Sequence, residues 1–380
     1  MSEYDSMLEE KWLINRIKGE KEQSFTSTGS KLLAHPDRLK EFRDNDNPTP
    51  IVMHIMPTDI CNFQCTFCSV GNRSGYDNAK SIPGVKPDVL QMSQIKHVVD
   101  FLVSKGLKGV ILSGGGEPTI FKDNEGNDFG DLIRYLRNKN LEIGLITNGS
   151  MLNKFEAEVA ELTWIRVSLY PPQYNLDVVN LPDNIPDSTT LGFSWVMAYP
   201  NDTNPDEISE DQILERYEKF AESIKKFAEN KNGKYIRLLP DCHTYGENFI
   251  KLHNVIDKLI DNYGAPFFHQ NKMHNAPEKC YLGYFHPVLY PDARIYPCDS
   301  LILNDNDSNT GRRFKTEYSM CNWNEIERVY NGTVESLIKD PKTQCPKCVF
   351  NSNNSLLNDI YQGRKVINEN PSDILHKNFI

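Results

Sequence analysis

Between Ile51 and Ile260 the chain alternates strand-sized apolar runs with amphipathic helical patterns, six times over. The runs are Ile51–Met56, Gly109–Ser113, Leu141–Thr147, Trp164–Leu169, Leu191–Tyr199 and Tyr235–Leu239, each rich in β-branched, aliphatic or aromatic residues. Helical patterns cover Ser93–Lys105, Phe129–Leu136, Phe155–Leu162, Glu210–Phe227 and Phe249–Ile260, and the link from Leu169 to Leu191 carries no clear pattern. Over Ser93–Lys105, Ile95, Val98, Val99 and Leu102 share one face, opened by a serine of capping type and closed before Gly106. This alternation specifies an α/β fold, with parallel strands and helices packed outside them. Six units fall short of the eight that close a barrel. Pattern alone leaves a partial (βα)6 barrel and a doubly wound open sheet both standing.

The flanks differ from this core. Residues 1–50 are charged, with a helical stretch over Met7–Ile17 and a polar segment Asp44–Pro50, and form an expected N-terminal extension. The rhythm fails near Tyr263, which bounds a core unit of 51–263. Residues 264–350 hold five of the nine cysteines and little periodic pattern, so a small domain that leans on metal is expected there, followed by a tail over 351–380. Lysine and arginine number 42 against 52 acidic residues, a net charge of −10, which weighs against a nucleic-acid partner. The pairs Lys225–Lys226 and Arg312–Arg313 are too short to reverse that expectation. No apolar run approaches the ~18–20 residues of a membrane span. The acidic, polar start is unlike a secretory signal, so no membrane partner and a cytoplasmic location are expected. An odd, bunched set of cysteines suits metal ligation better than disulfides.

Directly after the first run stands Thr58-Asp-Ile-Cys61-Asn-Phe-Gln-Cys65-Thr-Phe-Cys68. Its C-x3-C-x2-C spacing lies at a strand's C-terminal edge, where α/β folds place their chemistry. Three close thiolates suit zinc or an iron–sulfur cluster. A closed zinc site wants a fourth ligand, and no histidine follows Cys68 closely, whereas three cysteines on a four-iron cluster leave one iron open. After the second run comes Ser113-Gly114-Gly115-Gly116-Glu117-Pro118, whose glycines let backbone approach a ligand and whose carbonyls can receive an ammonium group.

These two elements, in this order, resemble the radical S-adenosylmethionine (SAM) enzymes, whose motif C-x3-C-x-aromatic-C is matched with Phe67 as the aromatic residue. The resemblance implies a [4Fe–4S] cluster on Cys61, Cys65 and Cys68, with the amino and carboxylate groups of SAM on its open iron. Gly115, Gly116, Glu117 and Pro118 match the family's G-G-E-P element, which contacts the SAM amine. It also implies the partial (βα)6 TIM-like barrel over about Ile51 to Ile260, reductive cleavage of SAM to a 5′-deoxyadenosyl radical, and an external electron donor such as flavodoxin or ferredoxin. Ser168, ending the fourth strand, is an expected SAM contact. Asn148-Gly149 fits plain turn chemistry, and Trp195 and Tyr199 suit either adenine stacking or a core.

Further on, Cys280, Cys298, Cys345 and Cys348 make a complete four-thiolate set, fit by ligand type for zinc or a second [4Fe–4S] cluster. Tyr290 and Tyr296 flank Pro-Asp-Ala-Arg, a hairpin turn that puts Cys298 at a strand end. The set resembles the short "twitch" relative of SPASM auxiliary-cluster modules, with Ala293 where the family frame has glycine. It lacks ligands for a third cluster, and Cys321 is a spare, either a replacement for one of the four or, as buried cysteines usually are, structural. Cys242, past the sixth strand, is a candidate hydrogen donor or an inert strand-end thiol. The expected function is oxidation of a small hydroxylated metabolite aided by one auxiliary cluster. The alternatives are an epimerase using Cys242, a maturase of a ribosomally made peptide, and a non-enzymatic zinc-binding interaction protein.

Overall fold

The computed structural model describes residues 24–63, 65, 67–69, 88–169, 176–199, 203–244, 246–271, 275–304 and 316–380. The expected helix over Met7–Ile17 lies outside them. Two helices lead in, α1 (Gly29–Leu33) and α2 (Pro36–Asn45). The core then runs β1 (Val52–Ile55), α3 (Met92–Ser104), β2 (Gly109–Leu112), α4 (Phe129–Asn138), β3 (Glu142–Thr147), α5 (Glu156–Val159), β4 (Trp164–Leu169), β5 (Thr190–Met197), α6 (Glu210–Asn230), β6 (Tyr235–Pro240), α7 (Gly246–Tyr263) and β7 (Phe267–His269). After it come β8 (Val288–Leu289), β9 (Arg294–Tyr296), β10 (Cys321–Asn322), α8 (Ile326–Tyr330), α9 (Pro341–Gln344) and α10 (Asn351–Tyr361).

Strands β1 to β7 lie side by side in chain order, every neighbour parallel. A doubly wound sheet must reverse its order at a switch point, and this one does not. The winding is that of a barrel. Sheet order ends at β7 on one side and β10 on the other, so the barrel stays open. Apolar residues such as Val110, Leu112, Leu145, Val167, Phe193 and Leu238 pack with helix residues Ile95, Leu132, Ile213 and Val255 in the main core. Residues alternating with these on the strands face inward.

Several elements depart from the sequence pattern. One more parallel strand, β7, follows Tyr263; only three residues long, it escapes a search for strand-sized runs. The expected Phe155–Leu162 helix shrinks to a single turn, since the chain must re-enter the sheet at Trp164. Ser93 does not open α3; its amide and hydroxyl bond Glu125, and Gln94 Oε1 accepts from the Gln91 amide at 2.8 Å instead.

The flanks are tied to the core. The hairpin β8–β9 extends the same sheet, with β8 parallel to β1 through His54↔Val288 and Ile55↔Leu289. Leu32, Leu39 and Phe42 of α1 and α2 pack with Tyr281, Phe285 and with Leu357 and Ile360 of α10. Residues 25–31 and 376–379 cover the N-terminal mouth of the barrel: Phe25 stacks on Tyr235 at 4.3 Å and Phe379 meets Trp164 edge-on at 5.3 Å. Among the described residues no helix is long and apolar enough to cross a membrane.

Candidate functional site

The C-terminal mouth is built from three strand-end loops that hold one another by backbone and side-chain hydrogen bonds. Past β1, Thr58 and Ile60 offer their carbonyls to the amides of Gly116 and Glu117, both at 2.8 Å. The cysteine loop and the glycine loop are thereby clasped together. Cys61, Cys65, Phe67 and Cys68 are all half-buried on this loop, and Cys68 N donates to Cys65 O at 3.1 Å. From β3, Asn148 Nδ2 donates to Asn62 Oδ1 and Asn62 Nδ2 donates to Ser150 Oγ, each at 2.8 Å. Asn148, expected to serve turn chemistry only, also pins the residue beside Cys61.

In the glycine loop a Cβ on Gly114 would lie 1.5 Å from the Gly116 carbonyl oxygen, so only glycine fits there. The Glu117 carboxylate turns inward. It accepts from Thr119 N at 3.1 Å, Thr119 Oγ1 at 2.7 Å, Thr147 Oγ1 at 2.6 Å and Asn148 N at 2.7 Å. Burial raises its pKa against these four bonds. Glu117 is a strut joining the ends of β2 and β3, and an ammonium group at this loop would meet backbone carbonyls.

Ser168 is half-buried at the end of β4 and pairs in register with Ser194 of β5. Cys242 is half-buried after β6, its sulfur within 4.8 Å of ligand atoms of Asp241 and His243. His243 Nε2 lies 3.0 Å from the carbonyl oxygen of Cys68, a contact that nothing in the sequence signals. Trp195 does not belong to the mouth. It is fully buried and edge-on to Tyr217 of α6 at 5.3 Å, on the outer face of the sheet. Tyr199 sends its hydroxyl to the Asn248 carbonyl at 2.9 Å.

The second thiol set is brought together. Cys280, Cys298, Cys345 and Cys348 are buried in one apolar cluster with Tyr290, Tyr296 and Leu301, and Cys68 packs against its border. Asn304 Nδ2 donates to Cys345 Sγ at 3.2 Å. Burial first, then Cys348, pushes up the pKa of Cys280 and Cys298, and Cys345 is raised by its hydrogen bond to Cys348 and by burial. Cys348 is lowered by its hydrogen bond to Cys345, so the four converging thiols share their protons within one buried set. Cys321 stands elsewhere: it pairs with Ile295, packs on the main core and is pushed by burial up to about 12.

Ala293, in the turn between β8 and β9, has φ +61°, the left-handed conformation that glycine adopts freely. Below the mouth, inside the barrel, lies a cavity of about 900 Å³ walled by Trp164, Arg166, Tyr235, Arg237 and His54. The two arginines are chemistry that sequence reasoning passed over. Their signal was available, a charge at the centre of each of two apolar strands, Trp-Ile-Arg-Val and Tyr-Ile-Arg-Leu.

Fold and mouth together define an open α/β barrel carrying a three-thiol loop against a glycine loop. Residues 55–230 match the Radical SAM superfamily. The chain is 30% identical over 129 residues to the GTP 3′,8-cyclases of Brucella ovis and Brucella canis, spanning about a third of each relative's length (34% of this chain, 33% of theirs). Among solved structures it is similar to Streptococcus suis SuiB bound to S-adenosylmethionine (14% identity, 86% of this chain and 76% of that one, TM-score 0.46). It is also similar to BtrN in complex with AdoMet and 2-DOIA (12% identity, 79% and 89%, TM-score 0.37).

Proposed function

We propose that this chain oxidises a small hydroxylated metabolite, with Cys61, Cys65 and Cys68 holding a [4Fe–4S] cluster and Cys280, Cys298, Cys345 and Cys348 holding an auxiliary one. When bound, the first cluster with SAM would supply the radical chemistry that removes a hydrogen atom from substrate, and an auxiliary cluster would supply a one-electron acceptor, the substrate's hydroxyl proton passing to solvent. The chain's part is placement. The clasp Thr58–Gly116 and Ile60–Glu117 carries this reading, because it sets a loop with three ligands and a backbone loop for SAM at one mouth. Ser168 stands on that mouth as a SAM contact. Phe67 belongs to the same loop, and Gly115, Gly116 and Pro118 continue the backbone that would face the methionyl amine.

Anaerobic reconstitution tests the proposal. About eight irons per chain, absorbance near 400 nm and dithionite-dependent deoxyadenosine are expected. Colourless protein with stoichiometric zinc, or no deoxyadenosine, overturns it. Flavodoxin or ferredoxin should replace dithionite as donor.

The half-buried Cys242 beside Asp241 and His243, with His243 on the Cys68 carbonyl, favours a second reading as an epimerase in which this thiol returns a hydrogen atom. Under that reading Cys242→Ala forms deoxyadenosine but no epimer; a Cys242→Ala enzyme with unchanged product removes it.

A further inference from the structure

The barrel cavity is positively charged, and its cations are bonded to neutral partners. Arg237 donates to Ser194 Oγ from Nη2 at 2.8 Å and to Gln270 Oε1 from Nη1 at 2.7 Å. Arg166 donates to the Phe25 carbonyl from Nη2 at 2.6 Å and to Tyr235 Oη at 3.3 Å, and its guanidinium lies 5.2 Å over Trp164. Lys31, 1% exposed, donates to the Phe379 carbonyl at 3.3 Å. All three line the cavity. Among its described lining residues the acidic groups are Asp299, drawn to the other wall 3.8 Å from His54 Nδ1, and the terminal carboxylate of Ile380, which is bonded to His286 and is not among the partners of the two arginines or Lys31.

The three histidines of the wall add little positive charge at neutral pH. Burial lowers His54, and holds His286 and His376 down to about 4. Burial, then the neighbouring Arg166, brings Lys31 down to about 7, so near neutral pH only about half of it is charged; Arg166 carries the rest with Arg237, whose pKa burial and then Arg166 also lower. A fold keeps cations of this kind in a cavity at a cost, because desolvated charge without a counter-charge is destabilising. The cost is offset when a ligand brings the missing negative charge. Guanidinium pairs are suited to that, since each offers a planar fork to a carboxylate or phosphate.

The position fits a substrate. Arg166 is two residues before Ser168 on β4, about 6.6 Å of strand. Arg237 bonds Ser194, the register partner of Ser168. A group held by the arginines therefore lies one small-molecule length below the loops assigned to SAM.

We propose that the substrate carries an anionic group, a phosphate or a carboxylate, that docks among Arg166, Arg237 and Lys31 inside the barrel with its reacting carbon directed to the mouth. The proposal rests on the radical SAM oxidation reading above and names the substrate class for that site. It is tested by calorimetric titration of the anaerobically reconstituted wild-type protein with sodium pyrophosphate and with sodium citrate at constant ionic strength, sodium chloride being the blank. Saturable binding of one of them is expected, pyrophosphate marking a phosphate site and citrate a carboxylate site. Arg166→Gln and Arg237→Gln should each weaken that binding at least tenfold, with Arg237→Lys restoring part of it. Thermal unfolding adds a second measure: each Gln variant should melt no lower than wild type without anion, because a buried charge has gone, and should lose the anion-induced rise. Wild type that binds neither anion more than chloride, or variants that bind as wild type does, overturns the proposal. Gln variants that melt far below wild type assign the arginines to structure alone and overturn it too. Deoxyadenosine formation by the same wild-type preparation separates the two readings. Its presence without anion binding sinks only the anionic substrate, and anion binding without deoxyadenosine sinks only the radical chemistry.

Discussion

Cys61, Cys65 and Cys68 sit half-buried on a loop whose hold is polar, made of the Thr58, Ile60 and Asn62 contacts to the ends of β2 and β3. Cys280, Cys298, Cys345 and Cys348 are buried among Tyr290, Tyr296, Leu301 and Ile338, where the surroundings are apolar. Both sets offer thiols, and under the proposed function they serve different tasks. A three-thiol loop at a barrel mouth leaves a coordination position and a path by which an outside molecule reaches it. Four thiols in a dry cluster complete a coordination shell and close it. Where folding energy comes from also differs. The first loop is ordered by hydrogen bonds that exist without metal, whereas the second set packs thiols that are crowded without it.

The largest effects should fall on opposite observables. Replacing Cys61, Cys65 and Cys68 by Ala is expected to remove about four irons and to reduce deoxyadenosine formation by at least about a thousandfold, with circular dichroism and solubility near wild type. Cys345→Ala with Cys348→Ala is expected to remove about four irons as well, but to lower the unfolding temperature or prevent soluble expression. Chelation by ferrozine should follow the same split, stripping the half-exposed set before the buried one. Should the triad variants unfold while the buried pair's variants merely lose iron, the contrast between an ordered open loop and a metal-dependent closed one is broken.

Glu117 sharpens the polar half of the contrast. Glu117→Ala strips the partner from the Thr147 hydroxyl, the Asn148 amide and the Thr119 amide, all at a buried position. Unpaired buried donors cost about 1–3 kcal/mol each, and partial relaxation brings the expected total to about 3 kcal/mol in urea unfolding. SAM affinity should fall with it, since the glycine loop loses its anchor to β3. Glu117→Gln, which keeps one acceptor oxygen, should cost about half as much. A Glu117→Ala protein with wild-type stability and lowered SAM affinity alone would show the carboxylate acting on the ligand directly.

The sequence made the strands legible because each carries a short apolar run, and Trp164–Leu169 falls where the pattern puts it. Barrel against doubly wound sheet was not legible from the pattern, since strand order is a matter of non-local pairing and local periodicity is the same in both. Strand β7 was too short to signal itself, and the helices α1 and α2 hide their buried Leu32, Leu39 and Phe42 among charges. At the site, the cysteine spacing and the glycine run are visible because covalent neighbours supply the geometry. The contacts that join them are not. Glu117 turning to Thr147, Asn148 reaching Asn62 and His243 meeting the Cys68 carbonyl each connect residues far apart in the chain. Arg166 and Arg237 lie between: their place on apolar strands is legible, while their shared cavity follows only from the winding of the sheet.

The smallest effect lies on the closed side, in the turn that delivers Cys298. Ala293 accepts a hydrogen bond at its carbonyl from Trp323 N at 2.9 Å and donates its own amide to Tyr290 O at 2.9 Å, so the turn is fixed from both sides. Its φ of +61° is thereby imposed on a residue with a Cβ. The left-handed conformation costs about 1–2 kcal/mol for such a residue. Glycine removes that strain but regains about 0.4–1 kcal/mol of freedom in the unfolded chain. The balance favours Ala293→Gly by about 0.5–1 kcal/mol, read as a small rise in unfolding temperature with iron content unchanged. Ala293→Val, adding a branched side chain at the same φ, should destabilise and should lower retention of the buried set's iron before it touches deoxyadenosine formation at the mouth. Should Ala293→Gly instead weaken the protein, the strain at this turn is being held for the placement of Cys298, and the closed set is less self-sufficient than its burial suggests.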